Sequence, residues 1–102
     1  MSVYLHVTLE VKASGLARFN AVMAEAVPIL ESEGWVLFAA LVQRTGRLNT
    51  VIDVWRLDGF DHFDAGLQAF IAHPRFAAIK AVLDETVLSE TIVFASAAPY
   101  MR

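Results

Sequence analysis

Val3 to Val11 is the segment that most constrains what this chain can fold into. Val3, Leu5, Val7, Leu9 and Val11 are aliphatic, while Tyr4, His6, Thr8 and Glu10 between them are polar or amphipathic. A side-chain period of two is the mark of a strand with one buried face. Ser14 then stands where a helix N-cap would, and Leu16, Phe19, Met23, Val27 and Leu30 recur at helical spacing. Pro28 lies inside that pattern and should kink or loosen the helix, and Gly34 is a natural stop. Trp35 to Arg44 predicts a second strand, apolar on both faces and therefore buried on both. Thr45-Gly46-Arg47 is a turn, which makes the second and third strands a hairpin.

The third strand, Arg47 to Leu57, carries the polar group hardest to explain away, Asp53. Asn49, Val51, Asp53 and Trp55 share one face; Leu48, Thr50, Ile52, Val54 and Arg56 share the other. Asp58-Gly59 ends the strand. A helical pattern follows from Phe60 to Ala72, with Phe63, Leu67, Phe70 and Ile71 on one side. His73-Pro74 interrupts it, and Pro74 restarts a helix whose apolar side is Phe76, Ile79, Val82 and Leu83. Leu88 to Ala97 predicts a last strand, followed by a tail containing Tyr100 and Met101.

The order β-α-β-β-α-β predicts an α+β, ferredoxin-like domain spanning residues 1–102. Its four-stranded antiparallel sheet should run 4-1-3-2, with both helices on one face. The other face is expected to carry Tyr4, His6, Thr8, Asn49, Val51, Asp53 and Trp55. Composition sharpens the consequence. The hydrophobic share is 57% and the mean hydropathy +0.52, more than 102 residues can hide within themselves. A homodimer through the open sheet face, enclosing a cavity, is the expected outlet.

Other outlets are disfavoured. The longest uncharged apolar run, Trp35 to Val42, is eight residues, well short of the ~18 needed to span a bilayer. The start, Met-Ser-Val-Tyr-Leu-His, has no basic lead-in and no long apolar core, so a cytoplasmic location is expected. Net charge is −3 and the eight Lys and Arg are scattered, which argues against nucleic acid. Without cysteine there is no disulfide, thiolate site or cysteine nucleophile. His6, His62 and His73 fall on different elements without ligand spacing, so no metal is expected. No phosphate loop, G-x-S-x-G elbow or H-E-x-x-H motif occurs.

Gly46-Arg-Leu-Asn-Thr-Val-Ile-Asp-Val-Trp-Arg-Leu57 resembles the third-strand signature of NIPSNAP-like proteins, and Leu16-Ala-Arg-Phe19 is similar to their first-helix pattern. The family's βαββαβ order covers essentially the whole chain. Two positions depart from it: Asp53 stands where such sequences usually have His, and the Arg often found in the first strand has no counterpart among Tyr4 to Thr8. The resemblance implies a dimeric α+β barrel with a pocket in each subunit. That group includes cofactor-free monooxygenases, cyclases, isomerases and haem-degrading enzymes.

Candidate chemistry centres on His6 and Asp53. If neighbouring strands bring them together, the carboxylate would orient the imidazole and raise its basicity, as a general base needs. The same pair would serve equally as a hydrogen-bonded contact within an interface, or a shifted register would keep them apart. Tyr4, Thr8, Phe38 and Trp55 are candidate walls for a flat apolar ligand, or rings and side chains that fill a dimer core. His73 is expected to satisfy backbone groups in its loop, and His62 to be solvated. The expected function is a small enzyme without metal or organic cofactor acting on a hydrophobic, aromatic or polyketide-like, small molecule. The alternative is a non-catalytic dimer that binds a small ligand or a protein.

Overall fold

A computed structural model describes residues 2–102. The elements are β1 (Val3–Val11), a 3-10 turn (Ala13–Gly15), α1 (Leu16–Glu31), β2 (Val36–Val42), β3 (Thr50–Leu57), α2 (Phe60–Ala72), α3 (Phe76–Thr86) and β4 (Val87–Ala95). The four strands form one antiparallel sheet in the order β2-β3-β1-β4. This is the expected ferredoxin-like order, with the second helix broken into α2 and α3.

The β1 alternation sets the layer structure. Val3, Leu5, Val7, Leu9 and Val11 are all buried, and the last four pack with Phe19, Leu30, Trp35, Val51, Trp55 and Leu57 into the main core. Val22 and Ala26 of α1 meet Ile79 of α3 in a second cluster, where Ile79 is wholly buried. Thus α1 turns two sides inward, one to the sheet and one to α3. Pro28 stays within the helix, which runs on to Glu31.

Local chemistry corrects several expectations. Ser14 sits inside the 3-10 turn, so Gly15 rather than a side-chain oxygen precedes α1. Close packing requires glycine there, because a Cβ on Gly15 would stand 2.8 Å from Thr86 Cγ2. The β2–β3 connection is longer than a tight turn, and Asn49 adopts φ 62 within it, so β3 begins at Thr50 rather than at Arg47.

β2 was expected to be buried on both faces, and it is not. It is a sheet edge, with Phe38 55% and Leu41 56% exposed. The helices reach only part of one side, and among the described residues nothing covers the other. His62 is likewise not solvated. Its Nδ1 accepts the Asp58 backbone N–H at 3.0 Å. Nε2 therefore carries the hydrogen and donates it to the Glu33 carbonyl at 2.7 Å. The ring ties the start of α2 to the α1–β2 connection. His73 does what its place in the loop suggests: Nδ1 accepts the Arg75 backbone N–H at 3.0 Å.

Candidate active site

Register decides which side of the sheet each candidate occupies. Directly opposed residues in an antiparallel pair project from the same face. Val51, Asp53 and Trp55 lie opposite Leu9, Val7 and Leu5, the aliphatic set that the helices cover. His6 lies opposite Val54 and Val93, and Thr8 opposite Ile52 and Thr91. Asp53 and Trp55 therefore face the helices, while His6, Tyr4 and Thr8 face away. The sheet stands between His6 and Asp53, and the expected pairing of the two is wrong. Phe38 joins Tyr4 on the open side, their rings edge-on at 5.8 Å.

The physical reason lies in β3, whose two faces are almost equally apolar. Ile52 and Val54 offer as good a core face as Val51 and Trp55, and a carboxylate is normally kept from the core. Alternation alone could not choose between them. The choice falls to the β1 register, and it buries the carboxylate.

Asp53 occupies the middle of the sheet, opposite Val7 on one side and Ala40 of β2 on the other. Only 5% of the residue is exposed. Burial raises its pKa from 3.8 to about 6, with no hydrogen bond or neighbouring charge offsetting the cost. What Asp53 has instead is space. A cavity of about 520 Å³ opens beneath α2 and α3 against β1, β3 and β4, and a second of about 410 Å³ lies between α1 and β2. Asp53 and Met23 line both.

The larger cavity is walled by aromatic rings. Trp35 and Trp55 meet edge-on at 5.5 Å. Phe63 stacks on Trp35 at 5.7 Å, and Phe94 meets Phe63 edge-on at 5.1 Å. Two anchors hold the Trp35 ring. Its Nε1 donates to the His62 carbonyl at 3.1 Å. Gly66 provides the room for its edge, since a Cβ there would stand 2.6 Å from Trp35 Cε2. Of the proposed ligand-contacting residues, only Trp55 reaches this cavity. Met23, Trp35 and Phe63 were missed as cavity walls; their helical or strand spacing reads simply as core.

The open face is a distinct surface. Tyr4, His6, Thr8, Ile52 and Val54 are half-buried there, and Val93 is 49% exposed. Among the described residues no helix is long and apolar enough to cross a membrane.

No protein-family model matches the chain, and no curated protein matches it. Solved structures do. An uncharacterised NIPSNAP domain protein from Burkholderia xenovorans superposes with a TM-score of 0.83 at 21% identity, covering 100% of this chain and 99% of that one. The chain has the NIPSNAP-domain fold. A NIPSNAP family protein from Agrobacterium tumefaciens is similar at a TM-score of 0.84 and 15% identity, covering 98% of this chain and 96% of that one. The same fold extends beyond NIPSNAP proteins to SnoaB, a cofactor-independent oxygenase from Streptomyces nogalater. SnoaB superposes with a TM-score of 0.76 at 18% identity, covering 98% of this chain and 96% of the oxygenase.

Proposed function

We propose that this chain is a NIPSNAP-like member of the dimeric α+β barrel group. In this reading it is a small cofactor-independent enzyme that removes a proton from a hydrophobic, aromatic molecule held beneath the helices. One observation carries the proposal: a carboxylate, Asp53, buried without a partner at the wall of an apolar cavity. A structural carboxylate would be expected to have hydrogen bonds or a counter-charge. A carboxylate whose pKa is raised to about 6 is still ionised at neutral pH and is a stronger base than an exposed one. The likeness to a cofactor-independent oxygenase supports chemistry that begins on the organic molecule itself.

In the proposed step an acidic C–H or O–H of the ligand lies against Asp53. The proton passes to a carboxylate oxygen, and the bonding electron pair stays on the ligand as an enolate or phenolate. Trp55 and Trp35 hold the ring, and the apolar walls exclude the water that would compete for the proton. His6 takes no part, because it is on the other face. With Tyr4, Thr8 and Phe38 it belongs to the surface through which two copies would pair, sheet against sheet, in a cytoplasmic homodimer.

The test is proton exchange. With 2-tetralone as a probe C–H acid in deuterated buffer, the protein should accelerate loss of the α-proton signal, and Asp53→Asn should slow it by about a hundredfold or more. Equal rates for the two proteins would remove Asp53 as the base. A non-catalytic small-ligand-binding dimer is the second reading. It is favoured by the separation of His6 from Asp53, which leaves the carboxylate without a relay partner. In that case the probe would bind without accelerated exchange.

A further inference from the structure

The ionisable groups around the larger cavity form an unbalanced set. Four line it: Asp53 on β3, Lys80 and Asp84 on α3, and Glu90 on β4. Glu90 lies opposite Leu9 of β1 and so projects to the cavity side. Lys80 Nζ donates to Asp84 Oδ2 at 2.7 Å, one turn along the same helix. That ion pair cancels itself. Two carboxylates are left over, one deep at Asp53 and one at Glu90, and among the described residues neither has an ion-pair partner. The aliphatic and aromatic walls around Asp53 cannot screen its charge, whereas Glu90 is exposed at the rim, where solvent screens it.

We propose that the cavity selects by charge, taking an uncharged aromatic ligand and rejecting the carboxylate form of the same ring. This rests on the reading of the cavity as the ligand site and narrows the class of molecule that can occupy it. An anionic ligand would bring a second uncompensated negative charge into apolar surroundings beside Asp53, with Glu90 at the exposed rim. The one cation of the lining, Lys80, is solvent-exposed on α3 and paired with Asp84, away from the buried wall at Asp53. A hydroxyl or ketone group incurs no such penalty, and the hydroxyl O–H or the C–H alpha to the ketone offers Asp53 the proton that the proposed step requires. The same arithmetic separates this cavity from fatty-acid and aromatic-acid sites, which need an Arg, a Lys or a set of backbone N–H groups for the carboxylate.

Calorimetric titration with 1-naphthol and 1-naphthoate near neutral pH tests the proposal, because the two share a ring and differ in charge. Naphthol should bind, and naphthoate should bind at least about tenfold more weakly. Asp53→Asn should narrow that gap, and Glu90→Gln, on the exposed edge strand, should narrow it less. Naphthoate binding as tightly as naphthol, or a gap that neither variant changes, overturns the charge selection while leaving the cavity as a ligand site. If neither ring binds, the ligand site itself is wrong and the inference fails with it.

Discussion

Replacing Asp53 with Asn should stabilise the protein at neutral pH and not at acid pH. The folded chain holds this carboxyl at a pKa of about 6 against an ordinary value of 3.8, so folding favours its protonated form. The cost is absent below pH 3.8, where both the folded and the unfolded chain carry the proton. It grows as the pH rises, because the unfolded chain can release the proton more easily, and it is complete above pH 6. Its full size is about 3 kcal/mol, and between about pH 4 and pH 7.5 some 2.5 kcal/mol of it should develop. Lys80, Asp84 and Glu90 line the same cavity in both proteins, and Asp53 is the one group that differs between them. Any fixed cost of burying the amide also cancels in that comparison. Urea denaturation at the two pH values measures it directly. The thermal counterpart is a relative gain for Asp53→Asn on the order of 10 °C. A stability difference between the proteins that stays constant with pH, within about 0.5 kcal/mol, would refute a buried, unpaired carboxylate.

Other substitutions test the frame around the site. Gly66→Ala should destabilise by about 2 kcal/mol, since the clash with Trp35 outweighs the gain in helix propensity. Chemical denaturation should show a lower midpoint at an unchanged slope. His62→Ala removes both bonds that tie α2 to the α1–β2 connection and should cost about 1–3 kcal/mol in the same assay. For the proposed dimer, Val93→Asp places a charge on the open face, on edge strand β4 beside His6, and should yield a folded monomer by light scattering. A dimer that survives with its mass unchanged would exclude that face as the interface.

Much of the fold is legible in the residues, and the site much less so. β1 announces itself because its two faces differ so sharply, and its aliphatic side is the side the helices cover. The break at His73-Pro74 and the return at α3 follow from proline chemistry. Ser14 misleads because the chain enters α1 through a 3-10 turn packed on Thr86, a tertiary constraint no local pattern carries. β2 misleads because its apolar residues read as buried on both faces, although the strand order puts it at an edge where a single chain covers it only in part. The displaced site has the same origin. With both faces of β3 apolar, only pairing with β1 reveals that Asp53 and Trp55 point beneath the helices. The polarity of Asp53, which argues for an exposed face, is in fact the exception that marks the cavity.

The account stands on the cavity, rather than the open sheet face, being where a ligand binds. Nuclear magnetic resonance with 1-naphthol and methyl-labelled protein decides between the two surfaces. The account predicts ligand-to-protein Overhauser contacts to Val7, Leu9 and the indole of Trp55. Contacts to Tyr4, His6 and Val93 instead, with the Trp55 indole unaffected, would contradict it.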